Sequence, residues 1–156
     1  MPRTSAGILL YRRAGDGTVE VLIGHMGGPF WAKKDAGGWS IPKGEYAPGE
    51  DPFAAAQREF LEELGSPVPA VDFVPLGEVR QSGGKTLTVW AAQGDFDVTT
   101  AVSNTFSLEW PPRSGRQQEF PEIDRAAWVR LDAARDLVVK GQVPLLDRLL
   151  QELEDA

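Results

Sequence analysis

The sequence predicts an α/β (α+β) layer fold, a single domain with helices on both sides of a mixed β-sheet. Three observations carry that prediction. The chain has 156 residues, the size of one ordinary domain, so we expect residues 1–156 to form one unit. Its residues are 42% apolar, enough for a real core, because a chain of this length hides roughly two-thirds of its unfolded surface. Strand-like and helix-like stretches follow one another as β-β-β-α-β-β-β-α, a mixed order that suits neither a bundle nor a pure sandwich.

Residues 5–12 and 18–24 read as short, largely buried strands. Ala14-Gly15-Asp16-Gly17 is a turn signal, so the two should form a hairpin. Residues 27–38 are rich in glycine and read as a loop, and Trp39-Ser40-Ile41 is a brief strand stopped by Pro42. A helix follows from Pro52 to Leu64. Asp51 is a good N-cap, Pro52 fits the first helical position, Gly65 suits the left-handed terminating residue and Pro67 prevents resumption. Residues 73–81 and 85–92 form a second predicted hairpin across Ser82-Gly83-Gly84, with Leu87, Val89 and Ala91 on one face. Residues 94–122 carry the weakest pattern: a strand at 106–110, then a loop at Pro111-Pro112-Arg113-Ser114-Gly115. Ala126–Leu131 reads as a last strand and 132–138 as a short helix. An amphipathic helix over 143–154 carries Leu145, Leu146, Leu149, Leu150 and Leu153; left exposed, that face would suggest a homodimer.

Composition excludes several functions. Sixteen Lys and Arg against 23 Asp and Glu give a net charge of −7, which repels polyanions at long range, so no nucleic-acid polymer is expected as partner. A small anionic substrate stays allowed, since a local basic pocket can act against the net sign. The absence of Cys removes disulfides, thiolate zinc sites and a cysteine nucleophile. The single histidine, His25, leaves no His-rich metal cluster. No stretch approaches the roughly 20 apolar residues of a membrane span, and the N-terminal residues show no signal-peptide pattern. A cytoplasmic location without membrane attachment is the expectation.

The informative segment is the helix. Phe53, Ala56, Phe60 and Leu64 share its core face, while Glu59, Glu62 and Glu63 occupy a separate arc at i, i+3 and i+4. Like charges at that spacing repel, and they sit near the helix C-terminus, where the macrodipole disfavours anions. Arg58 can pair with Glu62, but Glu59 and Glu63 find no partner on the helix. A hard divalent cation, Mg²⁺ or Mn²⁺, is the natural filler. The competing explanation is a solvated acidic face, the usual fate of a charge run.

The spacing weighs against that bland explanation. Gly44, five residues, Glu50, seven residues, Arg58-Glu59-Phe60, one residue, Glu62-Glu63, one residue, Gly65 resembles the Nudix box. With average residue usage such a match arises by chance on the order of 10⁻⁶ or less per chain. One position departs: the residue after the last glycine is usually apolar and here is Ser66, with Val68 available to fill the space. The opening strand Ser5–Tyr11, the segment Trp39-Ser40-Ile41-Pro42-Lys43-Gly44 and Glu122–Trp128 are also similar to that family. They look closest to its branch acting on diadenosine polyphosphates and diphosphoinositol polyphosphates.

The resemblance implies an α-β-α sandwich around a mixed sheet and metal-dependent hydrolysis of a phosphoanhydride. It implies Glu59 and Glu63 as metal ligands, the Gly44 carbonyl completing a coordination shell, and Glu62 as a third ligand or as holder of a water on the metal. Arg58 and Glu50 would form a buried orienting pair, with Gly65 closing the motif. The general base stays open among Glu62, Glu119 and Glu122. Lys33, Lys34 and Lys43 are candidate phosphate contacts, against the alternative of solvated lysines. Trp39 and Tyr46, with Trp31 and Phe30, are candidate base-stacking residues, against core packing. His25 is expected to be structural, and Arg80 and Lys85 are open between surface charge and substrate contact. The expected function is hydrolysis of a nucleoside diphosphate-linked or dinucleoside polyphosphate substrate. The alternatives are a house-cleaning pyrophosphatase for oxidised nucleoside triphosphates and a nucleotide-binding module without catalysis.

Overall fold

The computed structural model describes residues 3–155; Met1, Pro2 and Ala156, the outermost residues of the expected domain, lie outside them. Strands β1 (Thr4–Arg13) and β2 (Val19–Met26) form the predicted hairpin, with Tyr11 opposite Val21 and Arg13 opposite Val19. The hairpin does not stay closed. Beyond Val21 the two strands part, and the segment Trp39–Glu45 fills the gap between them. Its first piece, β3 (Trp39–Ser40), pairs with β2. Its second, β4 (Lys43–Glu45), pairs with β1, Gly44 lying opposite Ala6. The sequence reading ended this strand at Pro42, because three polar or glycine residues carry no strand pattern; the open edge of β1 imposes it.

Helix α1 (Pro52–Leu64) has the predicted ends: Asp51 Oδ2 accepts from the Ala54 N–H at 3.0 Å, and Gly65 is left-handed at φ 83°. Strands β5 (Phe73–Arg80) and β6 (Thr86–Gln93) form the second hairpin, and β6 runs parallel to β1 along its far edge. Residues 105–121 give a separate two-stranded sheet, β7 (Thr105–Glu109) with β8 (Gln117–Pro121). The second of these strands escaped the sequence reading because Gln117, Gln118 and Glu119 lack apolar alternation. Strand β9 (Ile123–Arg130) then pairs with β2, and α2 (Leu131–Leu137) and α3 (Val143–Asp155) close the chain. No helix of the described residues is long and apolar enough to cross a membrane.

Two cores sandwich the sheet. On one face Ala6, Ile8, Leu10 and Leu22 pack against Ala55, Ala56, Phe60 and Leu64 of α1, and Val68 packs against the same cluster. On the other, Leu9, Val21, Ile23, Leu87, Val89 and Ala91 pack against Ala134, Leu145, Leu146 and Leu149 of α2 and α3. Strand alternation sends Leu9 one way and Ile8 and Leu10 the other, so a strand buried on both faces reads as a continuous apolar run. Each such side chain contributes about 1.5–3 kcal/mol on burial. The C-terminal leucine face is thus consumed internally, leaving only Leu150 largely exposed, and no longer suggests a dimer.

One buried side chain ties this face to the gap in the sheet. Gln142 is fully buried; its Oε1 accepts from the Ile41 N–H at 2.9 Å, and its Nε2 donates to Ser40 Oγ at 2.9 Å and Gln81 Oε1 at 3.2 Å. It fixes the backbone just before Lys43. Gln142→Leu removes all three bonds and strands a buried N–H, which costs about 1–3 kcal/mol. Urea unfolding should show that loss, with Gln142→Glu failing to restore it.

Candidate functional site

The site is built where α1 passes beneath β4. Glu59 and Glu63, one turn apart on α1, are only 9% and 8% exposed, whereas Glu62 is half-buried. Their burial depends on Gly44: a Cβ there would collide with the Glu59 carboxylate. The backbone N–H of Lys43 donates to Glu63 Oε1 at 3.3 Å.

Arg58 is the local counter-charge. Its Nη1 donates to Glu59 Oε1 at 3.1 Å and to Glu62 Oε1 at 3.0 Å, while Nε donates to Glu50 Oε2 at 3.0 Å and Nη2 to Glu50 Oε1 at 3.3 Å. Glu59 therefore has the partner that helix geometry alone did not supply. The Arg58–Glu50 pair is present but not buried, with the side chains 39% and 31% exposed. The Arg58 hydrogen bonds hold the Glu50 carboxyl below its usual range. Glu63 has no ion pair among the described residues. Burial, partly offset by Lys43 and reinforced by Glu59, pushes its carboxyl up to about 8. Burial and then Glu62 push Glu59 up as well, against the pull of Arg58.

The end of α1 also brings in a fourth acid. Val102 N–H donates to the Leu64 carbonyl at 3.1 Å and Asn104 N–H to the Glu62 carbonyl at 2.8 Å, satisfying helix-end acceptors. Glu122 N–H donates to the Asn104 carbonyl and Gly27 N–H to the Glu122 carbonyl, both at 2.9 Å. Glu122 thus lines, with Glu45, Glu59, Glu62, Glu63, Gly44 and Lys43, a polar hollow of about 330 Å³. Glu119 does not: it lies exposed on β8, opposite Ser107.

This donor set fits a hard divalent cation. Two buried carboxylates, a third beside them and a backbone cradle open only to glycine offer the oxygen ligands such an ion requires. Among the described residues no three acidic or imidazole side chains stand close enough to hold an ion unaided, and Arg58 engages both Glu59 and Glu62. Mg²⁺ needs only one or two carboxylates, the rest being water and substrate oxygens.

Two further cavities open from the same point. One, of about 270 Å³, lies between Trp31, Phe106, Met26 and Ile123 and reaches Glu63, Glu122 and Lys43. The other, of about 290 Å³, is lined by Lys43, Lys85, Lys140, Gln81, Ser82 and Gln142. Lys43 touches all three.

Several expected contacts lie elsewhere. Lys33 and Lys34 are exposed on the 27–38 loop and line none of these cavities; Lys34 rests over the Trp31 ring. Trp39 is 6% exposed, its indole N–H donating to Asp35 Oδ1 at 2.9 Å, so it is core rather than a stacking face. Tyr46 packs against the α1 core. Phe30 stands at 69% exposure against Trp110. His25 is a buried strut, Nδ1 2.8 Å from Asp124 Oδ1 and Nε2 2.6 Å from the Lys34 carbonyl. Four further cavity residues, Phe106, Asn104, Glu45 and Lys140, carry no functional signal in the sequence, whereas Trp31, Lys43, Lys85 and Glu122 are candidates there.

Over residues 1–149 the chain matches the NUDIX domain. The protein belongs to the Nudix family. Members generally use divalent metal ions, in keeping with the donor set above. The Nudix fold is shared with an Ap4A hydrolase of C. elegans, solved as a binary complex: TM-score 0.69 at 22% identity, covering 97% of this chain and 99% of that one. A Nudix hydrolase of M. smegmatis, RenU, superposes with TM-score 0.61 at 25% identity over 97% of this chain and 86% of that one. An RNA pyrophosphohydrolase of Rhodopseudomonas palustris (strain HaA2) is 41% identical over 61 residues, a match spanning 39% of this chain and 34% of that protein.

The raised Glu63 carboxyl has a consequence for stability. Between its ordinary 4.5 and about 8 the folded protein holds more protons than the unfolded chain, so raising pH through that window weakens the fold. Carboxyls held low by hydrogen bonds, such as Glu50 and Asp95, act below it. Metal-free protein should therefore show a falling urea midpoint from about pH 5 to about pH 8, and Glu63→Gln should flatten that slope.

Proposed function

We propose that this Nudix protein is a divalent-metal-dependent hydrolase that cleaves a phosphoanhydride bond by water attack, with a dinucleoside polyphosphate as preferred substrate. The burial of Glu59 and Glu63 carries the reading: the fold retains two carboxylates that cost stability where they stand, a pattern that residues selected for chemistry leave. In this reading Glu59, Glu63 and the Gly44 carbonyl hold the cation, with Glu62 beside them. When bound, the cation neutralises diphosphate charge and acidifies water. Arg58 and Glu50 keep the carboxylates oriented without touching substrate, as an outer layer does at such sites. Lys43 grips phosphate at the junction of the three cavities.

Glu122 is the favoured general base. It lines the hollow and has no hydrogen bond through its side chain among the described residues, whereas Glu62 is engaged by Arg58 and Glu119 faces away. A base needs geometry before pKa, and the place of Glu122 in the lining of the hollow supports the choice. Polyphosphate preference is supported by Lys43, Lys85 and Lys140 around one arm of the cleft, and by the likeness to the C. elegans Ap4A hydrolase. A second reading, removal of pyrophosphate from an RNA 5′ end, is supported by the local match to the RNA pyrophosphohydrolase. The protein's net charge of −7 argues against it.

A substrate panel decides. Specificity constants for diadenosine tetraphosphate should exceed those for oxidised guanosine triphosphate, ADP-ribose and 5′-triphosphorylated RNA by at least about tenfold, with no turnover in chelator. A tenfold advantage for any of the others would overturn the polyphosphate assignment. Glu59→Gln or Glu63→Gln should each lower turnover by at least ~100-fold, about 2.7 kcal/mol in the barrier. Gly44→Ala gives a finer test. The three atoms nearest its methyl all belong to the end of the Glu59 side chain, so the unfolding midpoint should hold near wild type while Mn²⁺ affinity, followed by calorimetry, drops at least about tenfold.

A further inference from the structure

The arm of the cleft bounded by Lys43, Lys85 and Lys140 has no role yet beyond its charge. These are three of the chain's five lysines, and they come from segments far apart: β4, the turn before β6, and the link between α2 and α3. None forms an ion pair among the described residues, although the protein carries an excess of seven negative charges. Lys43 and Lys85 also border the carboxylate hollow, yet none of the three is held in a short ion pair among the described residues, and together around one cavity they raise the local potential for an anion.

The rest of the lining agrees. Gln81 and Ser82 offer neutral polar groups, and Gly141 and Gln142 stand immediately before the N-terminus of α3, a 13-residue helix whose dipole places partial positive charge there. The buried Gln142 amide holds Gln81 and Ser40 in place, so the two walls of the arm are fixed relative to each other. The arm meets the carboxylate hollow at Lys43 and Lys85 and the aromatic arm at Met26, Trp31, Ser40 and Lys43.

We propose that this cationic arm is a binding site for the phosphates of the substrate beyond the bond that is cut, and that Lys85 and Lys140 set the preference for long phosphate chains. The aromatic arm between Trp31 and Phe106 then receives the nucleoside, and the chain runs from it across the carboxylate hollow toward Lys140. A nucleoside diphosphate linked to a sugar spends its charge within the hollow, where it meets Lys43 and Lys85 but stops short of Lys140. The inference rests on the hydrolase reading for its substrate, but the anion site itself does not require catalysis.

The test begins with binding alone. Inorganic tripolyphosphate is titrated calorimetrically into the full-length protein in chelator at low salt. Saturable binding is expected, weakened at least about tenfold in Lys85→Ala/Lys140→Ala and largely recovered in Lys85→Arg/Lys140→Arg. The urea midpoint of each variant checks that the fold persists; Lys85→Gln/Lys140→Gln replaces the alanine pair if it does not. Kinetics follow: the ratio of specificity constants for diadenosine tetraphosphate over ADP-ribose should fall at least about tenfold in the same variants. Tripolyphosphate binding that is absent in the wild type, or unchanged without the lysines, overturns the site even if the protein hydrolyses nucleotides. Binding that depends on the lysines in a protein that cleaves no nucleotide supports the site and overturns the hydrolase reading. Equal losses for the two substrates overturn the preference for chain length.

Discussion

Two carboxylates buried one helical turn apart constrain the rest of this structure. Glu59 and Glu63 sit near the C-terminal end of α1, where the helix dipole opposes them and each disfavours the other's charge. The surroundings answer that burden in three ways. Arg58 bridges Glu50, Glu59 and Glu62; the Lys43 backbone donates to Glu63; and β4 lies close enough above the helix that a Cβ at residue 44 would displace the Glu59 carboxylate. The parting of β1 and β2 is what admits β4 to that place, and Gln142 holds the segment leading to it. Sheet, helix and C-terminal layer are thus coupled through a few residues around Gly44.

The same constraint organises the charges. The net charge of −7 keeps long-range potential negative, yet the groups facing the cleft alternate in sign: acids over α1, lysines in one adjoining arm, aromatic rings in the other. A small, highly charged anion bound with a cation can use all three, whereas an extended polyanion would also meet the acidic exterior. Lys43 occupies the junction, on the residue before the glycine that permits Glu59 its position. The proposed phosphate contact and the carboxylate burial therefore depend on the same three-residue strand.

What the sequence revealed and concealed follows from how local each signal is. The ends of α1 were legible because Asp51, Pro52 and Gly65 act within one turn of themselves. Both hairpins were legible through their glycine turns, and the box through fixed spacing. Strands β4 and β8 were not, because their residues become strands only through a partner edge. Glu122 reaches the hollow through backbone bonds linking residues 102–104 to the end of α1, a long-range event with no mark in the sequence. Lys33 and Lys34 precede the box along the chain yet line none of the three cavities, Lys34 resting over the Trp31 ring. Lys85 and Lys140, 42 and 97 residues beyond Lys43, line a cavity with it. For Trp39 and Tyr46 the sequence leaves base stacking and core packing open, and the fold packs both.

If the buried acids are kept for a cation rather than for the fold, removing their charge must trade stability against binding. The decisive measurement pairs urea unfolding of metal-free protein near pH 8 with calorimetric Mn²⁺ titration, for the wild type and for Glu59→Gln/Glu63→Gln. The account predicts that the double variant is at least as stable as the wild type without metal and has lost Mn²⁺ binding. A double variant that is less stable and still binds Mn²⁺ as the wild type does would contradict it, and would make Glu59 and Glu63 structural members of α1.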